Sequence, residues 1–335
     1  MFGPLLIPLL LTLNLTPAAQ EAPEATMKAV RIHAFGGVEE LKYEDAPRPV
    51  PRKGEVLIRV QAAGVNPVDW KAREGLLKDL NPKLPQILGF DIAGTVEELG
   101  PEAKRFQRGD VVFGYLPLAK GGGYAQYVTV AERHLALAPK KATAEQAAAM
   151  PVAALTAWQA LVVTAKLESG QKVLIQGGSG GVGHFAVQIA KLRGAYVYAT
   201  ASTRNQEFLK ELGADRPIDY TRENFEDIAK DVDVVLDTVG GEVATRSYST
   251  LKNGGIFISL VGDPDTAALE KRGARGQAIL VQPNAKQLTD LSALVDEGKL
   301  RVVVSEVIPL AEARRAHELS ATGRVRGKLV LSVAQ

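Results

Sequence analysis

The chain of 335 residues contains no cysteine, only four histidines, two tryptophans and three methionines, and an aromatic content of 6%. Without cysteine there is no disulfide, no thiolate nucleophile and no cysteine-ligated zinc. The histidines, His33, His134, His184 and His317, are scattered. None falls in the H-x-x-x-H or H-E-x-x-H spacing that sets two imidazoles on one helical face, so no metal is expected. A metal site would have to be assembled from carboxylates and histidines that lie far apart in sequence. Excess charge of one sign is also missing. Lys and Arg number 40 against 38 Asp and Glu, a net charge of +2, which leaves nothing to attract nucleic acid or an anionic membrane.

Residues long enough to span a membrane are not found in the apolar run Leu5–Leu15 (LLIPLLLTLNL). Small residues follow it in TPAAQEAPEAT, as they follow the apolar stretch of a secretory signal. Against that reading, no Lys or Arg precedes Lys28, and Pro8 and Asn14 interrupt the run. Residues 1–26 are therefore read as a leader, either a secretion signal or an upstream start placed before a chain that opens at Met27.

With 46% apolar and 23% charged residues, a chain of this length builds a globular protein of two domains. From Met27 to about Val130 the signals are short strands and turns: Val56–Val60, a Pro-rich connection at Pro47–Lys53, the turn Arg108-Gly109-Asp110 into Val111–Phe113, and Gly121-Gly122-Gly123 before Tyr124–Val130. Helix signals begin at Thr143, with a second helix expected over Ala153–Leu167. After Gly170 strands and helices alternate: Val173–Ile175, Val182–Leu192, Tyr196–Thr200, Gln206–Leu212, Val232–Leu236 and Gly255–Leu260. That alternation specifies an α/β class with a doubly wound parallel sheet. The last part, from Pro283, returns to mixed strand and helix. The boundaries expected are 27–150 for a mostly β domain, 151–282 for the parallel-sheet domain and 283–335 for the C-terminal segment.

Gly178-Ser179-Gly180-Gly181-Val182-Gly183 fits G-x-G-x-x-G between an apolar strand and a helix. In that setting the first glycine permits a tight turn, the second admits a pyrophosphate to the bare backbone, and the third lets helix and strand pack closely. The helix start at Val182 aims amides at the anion. An NAD site places a carboxylate at the end of the second strand to take the ribose 2′-hydroxyl. Here the residues are Thr200-Ala-Ser-Thr-Arg-Asn205, with no carboxylate before Glu207. Ser202 as donor and Arg204 as a charged fork suit a 2′-phosphate, so NADPH is the cofactor expected. The alternative leaves Arg204 as a solvated residue at a helix start. A nicotinamide cofactor favours the cytoplasm, and no twin-arginine pair is present to export a loaded enzyme. A working signal at the N-terminus would instead send the protein to the periplasm or outside the cell.

Several stretches together, GVNPVDWKAREG (64–75), ILGFDIAGTVEELG (87–100), RGDVVFGY (108–115), GGYAQYV (122–128), AAAMPVAALTAWQAL (147–161), VLIQGGSGGVGHFAVQIAK (173–191) and RGKLVL (326–331), resemble the zinc-independent quinone oxidoreductase branch of the medium-chain dehydrogenase/reductase superfamily, the group that includes zeta-crystallin. The resemblance covers 27–335. It implies a GroES-like catalytic domain, a Rossmann domain inserted after it, a C-terminal return to the first domain, and a site in the cleft between them. Dimers are common in that family. Zinc enzymes of the superfamily carry cysteine where this chain has Asn66, and Gly-His-Glu where it has Gly89-Phe90-Asp91. Without a Lewis acid to hold an alkoxide, hydride transfer from NADPH to a quinone or an α,β-unsaturated carbonyl is the activity expected. The resemblance places Asn66 and Thr156 by the nicotinamide and Tyr220 by the adenosine. It leaves Tyr124 as a hydrogen-bond donor to a developing oxyanion or as packing at the cleft edge. Asp69 is a local turn acceptor or a catalytic group, and His184 a helix-start residue. The polar stretch Gly262–Gly276 is expected to be loop and to border the acceptor pocket. Two other readings stay open: a nucleotide-binding structural or redox-sensing protein with little turnover, and a metal-dependent alcohol dehydrogenase with unusual ligands.

Overall fold

The computed structural model describes residues 25–80 and 83–333. The leader reading for residues 1–26 falls almost wholly outside the described residues. The chain enters in β1 (Thr26–Ile32), which pairs antiparallel with β2 (Lys42–Pro47). Next comes β3 (Glu55–Val65), the longest strand and the spine of a seven-stranded sheet. The short β4 (Gln86–Ile87) closes the far edge of β1. Four more strands of the spine's sheet, β5 (Asp91–Leu99), β6 (Val111–Tyr115), β7 (Tyr127–Ala131) and β8 (Leu135–Leu137), all pair antiparallel.

Two register shifts in the β3–β5 ladder, at Leu57/Ile58 and Val60/Ala62, divide the spine between partners, because each bulge adds local twist. The first half of β3 pairs with β7. Its second half, Ala62–Val65, pairs with the last strand of the chain.

The parallel sheet consists of β9 (Lys172–Ile175), β10 (Tyr196–Ala201), β11 (Arg216–Asp219), β12 (Val232–Asp237), β13 (Leu251–Ser259) and β14 (Arg275–Ala278). Its order is β11-β10-β9-β12-β13-β14, with every pairing parallel. Val173, Leu174 and Ile175 are wholly buried, as befits a central strand covered on both faces. Each contributes about 1.5–3 kcal/mol of apolar burial. The chain order reverses between β9 and β12, which opens a crevice beyond their carboxyl ends. Finally β15 (Val304–Pro309) and β16 (Lys328–Ser332) complete the seven-stranded sheet, β16 pairing with β3.

Three differences from the sequence expectations have local causes. The stretch 262–276 is not all loop: Asp265 caps a short helix, Thr266–Glu270, through the amide of Ala268, and Arg275 opens β14. The helix expected over Ala153–Leu167 runs Pro151–Trp158, with Pro151 at its first turn, and widens to a π-helix over Gln159–Thr164. The spine strand runs well past Val60 to Val65, because pairing with β5 and β16 carries it on.

Candidate active site

The glycine loop sits at the carboxyl end of β9, and its glycines divide the work differently from the motif rule. The tight turn falls on Gly177, whose φ of +71° only glycine adopts comfortably, one residue before Gly178. A Cβ on Gly178 would press on Ala199 and Leu209 at 2.9 and 3.0 Å. A Cβ on Gly183 would lie 2.2 Å from the Gly177 carbonyl and 2.7 Å from Gly178 Cα, so the helix–strand contact is the tightest in the motif. At Gly180 the added atom would meet only the Gly177 carbonyl, at 3.3 Å. That contact is tight, but it is the one contact the added atom would make.

The backbone follows the same division. Gly178 N donates to Thr200 O at 2.9 Å and Gly180 N to Gly177 O at 3.0 Å. Among the described residues, the amides of Ser179, Gly181 and Val182 have no partner. They precede the helix Gly183–Leu192, whose first turn aims further N–H groups the same way. Three unspent amides beside a glycine are suited to receive an anion.

Four side chains brace the loop, and none of them belongs to the motif. Thr200 Oγ1 donates to Gln176 Oε1 at 2.7 Å and accepts from Gly177 N at 3.1 Å. Gln176 Nε2 donates to Ser247 Oγ at 2.9 Å. Each is a polar residue at an end of a buried element, the sequence signal by which they could have been found. His184, at the helix start, is fully buried with Nδ1 3.0 Å from the Gly180 carbonyl. It braces the loop from inside.

Ser202, Arg204 and Tyr220 all lie just past the carboxyl ends of β10 and β11. Ser202 Oγ accepts from Asn205 Nδ2 at 3.3 Å, and exposed Arg204 donates from Nη2 to Arg324 O at 3.0 Å. Tyr220 is 59% exposed, and its amide donates to Ala201 O at 3.3 Å. The fold also brings a carboxylate here that the sequence window did not contain: Asp219, paired with Ala201. Its oxygens accept from the hydroxyls of Thr203 at 2.6 Å and Thr221 at 2.7 Å, and these contacts hold its pKa below the usual carboxylate value. Its acceptors are turned into the strand-end turn.

Opposite the loop, three strand termini meet. Gly64 near the end of β3 pairs with Asp91 at the start of β5, and Val65 pairs with Leu329 in β16. Asn66 follows β3 as the N-cap of α1 (Pro67–Arg73), a role suited to Asn before a Pro at the first helical position. Asp69 Oδ2 accepts from Asn66 N at 2.6 Å, so the carboxylate serves as a local acceptor. Asn66 Nδ2 donates to Asp91 Oδ2 at 2.8 Å, and Asp91 Oδ1 accepts from Val152 N, also at 2.8 Å.

The third terminus supplies Lys328, 3% exposed, whose side chain no motif singled out. Its ammonium donates to Val65 O at 2.8 Å and to Asn66 Oδ1, and lies 3.8 Å from Asp91 Oδ2. Burial pushes the Asp91 carboxyl up to about 6 against the pull of Lys328, raises Asp69 likewise, and lowers Lys328. Asp91 and Lys328 form an ion pair in which both side chains are shut off from solvent.

Thr156, in the helix Pro151–Trp158, is nearly covered and donates its hydroxyl to Val152 O at 2.6 Å. Tyr124 lies behind the wall, wholly buried, with its ring 5.7 Å from that of His317. Burial, reinforced by the nearby Asp69 charge, holds its hydroxyl in the protonated form. Neither Tyr124 Oη nor Asp69 Oδ1 completes a hydrogen bond. The structure thus brings Asn66 to the cluster facing the loop and sets Tyr124 behind it.

The two buried histidines make a testable pH signature. Burial pushes His184 down to about 4 and His317 down to about 3, the latter beside Arg73. Because the unfolded chain binds these protons near about 6.5, each histidine costs stability as pH falls below that value. Asp91 works in the opposite direction: its folded pKa is raised, so its contribution to stability falls as pH rises from about 4 through about 6. His317→Gln removes one of the acid-side costs. Its urea midpoint should fall less between about pH 7 and about pH 4.5 than that of the parent chain. An equal or steeper fall would refute the assignment.

A six-stranded parallel sheet with a glycine loop at the end of its central strand, joined to an antiparallel β domain, is an architecture on which nicotinamide-dependent oxidoreductases are built. Compared with known protein families, residues 52–140 match the alcohol dehydrogenase GroES-like domain and residues 212–331 the zinc-binding dehydrogenase family. The chain is 36% identical over 322 residues to the chloroplast envelope quinone oxidoreductase homolog of Arabidopsis thaliana, which covers 91% of this chain and 98% of that protein. It is 37% identical over 316 residues to an NADPH-dependent alkenal/one oxidoreductase of the same plant, covering 91% and 79%. The solved quinone oxidoreductase of Coxiella burnetii superposes with a TM-score of 0.88 at 40% identity, over 92% of this chain and all of that one. The chain belongs to the quinone oxidoreductase branch of the medium-chain dehydrogenase/reductase superfamily.

Proposed function

We propose that the protein is a zinc-independent, NADPH-dependent reductase of quinones or α,β-unsaturated carbonyl compounds. The observation that carries this reading is the opposition of an anion cradle and a polar cluster whose cation is a lysine. NADPH, when bound, supplies a hydride from its nicotinamide. The chain's residues do the rest by binding and positioning. Gly180 leaves room for the pyrophosphate, the amides of Ser179, Gly181 and Val182 receive it, and Gly178 and Gly183 keep loop and helix together. Ser202 and Arg204 take the 2′-phosphate, and Tyr220 covers the adenosine. Thr156 and Asn66 border the nicotinamide end, where Asn66 orients the reacting groups. Tyr124, buried behind that wall, packs against His317.

Support for zinc independence comes from the residues present. Asn66 and Phe90 stand where zinc enzymes carry ligands, and the remaining carboxylate, Asp91, is committed to Asn66, Val152 and Lys328. Among the described residues no three His, Asp or Glu side chains gather as a metal would require. Among them, too, no helix is long and apolar enough to cross a membrane. The acceptor class follows from the chemistry and agrees with the names of the two plant relatives.

The decisive assay follows NADPH absorbance with benzoquinone, phenanthrenequinone and alkenals as acceptors, alongside metal analysis of the purified protein. Turnover with one of these classes is expected. Stoichiometric zinc, or tight NADPH binding with no turnover, would overturn the reading. Cofactor choice has its own test. Arg204→Ala should weaken NADPH by roughly 10- to 100-fold, the worth of one charge-assisted hydrogen bond, and NADH by under about threefold. Equal losses for the two would mean that Arg204 does not read the phosphate.

A further inference from the structure

Lys328 is the first residue of β16, and it touches both halves of the cleft. On one side Gly327 N donates to Ser179 O at 2.9 Å, and a Cβ on Gly181 would meet Lys328 Cδ at 3.2 Å. The strand start is thereby docked on the glycine loop. On the other side the ammonium reaches Val65 O, Asn66 Oδ1 and the neighbourhood of Asp91. Burying a lysine is costly, and an apolar residue of the same length would fill the space at less cost. What the ammonium adds is direction. With Lys328 donating to Oδ1, the Asn66 amide must turn Nδ2 toward Asp91, whose other oxygen holds Val152 N at the start of the helix bearing Thr156.

We propose that Lys328 is a positioning residue: its ammonium fixes the Asn66 amide and the Asp91 carboxylate, and so couples the docking of β16 on the glycine loop to the order of the acceptor side. The inference rests on the hydride-transfer reading of the cleft. An amide free to rotate by half a turn would present the wrong group to the reacting pair, and misplacement on the order of an ångström costs about 100-fold in rate.

The test uses the full chain with Lys328→Met, Lys328→Arg and the double variant Asp91→Asn with Lys328→Met. Readouts are thermal midpoint, NADPH affinity by fluorescence, and kcat and KM with an alkenal or phenanthrenequinone. Lys328→Met should keep NADPH affinity within about threefold and lose about 10- to 100-fold in kcat, a split that a purely structural role would not give. Lys328→Arg, which keeps the donor, should recover part of the kcat. The double variant leaves no lone buried charge and therefore folds even if the single one does not. Its kcat should remain low. A kcat within about twofold of the parent in either methionine variant, or a loss of NADPH affinity matching the loss in kcat, would overturn the proposal. Absence of turnover by the parent chain itself would overturn the hydride-transfer reading and this inference with it.

Discussion

Gly183→Ala is expected to cost stability and dinucleotide binding together, whereas Gly180→Val should cost binding alone. The contrast follows from what each added carbon meets. At Gly183 it meets backbone, the Gly177 carbonyl at 2.2 Å and Gly178 Cα at 2.7 Å. Backbone cannot swing aside as the tip of a side chain can, so the helix Gly183–Leu192 must back away from β9. Overpacking of this kind costs about 1–3 kcal/mol, with more where main chain is displaced. The same shift spreads the loop whose amides receive the pyrophosphate. At Gly180 the carbon meets only one carbonyl, at 3.3 Å, and otherwise points into the open cradle. The fold must yield by only a few tenths of an ångström at that carbonyl, whereas a pyrophosphate in the cradle would be blocked. Urea unfolding and fluorescence titration with NADPH separate the two effects. A Gly180→Val chain that bound NADPH with the parent's affinity would sink the assignment of the loop.

The second large effect is expected at Asp91→Leu, at about 3–5 kcal/mol of folding stability. The substitution leaves the Lys328 ammonium buried without its counter-charge, and strips Asn66 Nδ2 and Val152 N of their acceptor. Unpaired buried donors add their own desolvation cost. Because both partners are shut off from solvent, added salt should restore almost nothing. An exposed pair supplies the control: Asp290→Ala, which breaks the Lys286–Asp290 contact at 2.9 Å on the helix Ala285–Asp296, should change stability by under about 0.5 kcal/mol. Adding Lys328→Met to Asp91→Leu should return part of the loss, since the lone charge is then gone. A loss below about 1 kcal/mol for Asp91→Leu would show that the pair is not the buried ion pair described.

Read locally, the sequence carried the strand, glycine loop and helix well. A glycine loop between an apolar strand and a helix is specified by neighbouring residues, and the turn, the cradle and the close helix contact all fall within a few positions of one another. Even there the turn moved from Gly178 to Gly177, because φ is set by how β9 leaves the sheet, which the motif does not contain. The acceptor side was legible only in part. Asn66 was identified through resemblance, and its three partners were not assembled. Asp219 shows the same limit. A search for a carboxylate after β10 ended at Glu207, while pairing of parallel strands set Asp219 beside Ala201. Gly262–Gly276, polar and rich in turn residues, looked like loop, yet pairing with β13 makes Arg275–Ala278 a sheet edge.

By itself, then, the sequence determined the α/β plan, the glycine loop between strand and helix and the lack of any cysteine ligand, because each is written in composition or in the spacing of near neighbours. Tertiary structure alone decided that the start of β16 would deliver a cation to the ends of β3 and β5, and that Tyr124 would stand behind the wall. Lys328 and Asn66 are 262 positions apart. No local period encodes such a meeting, since it arises from the order in which strands pair and from burial that makes an unpaired charge too costly to tolerate.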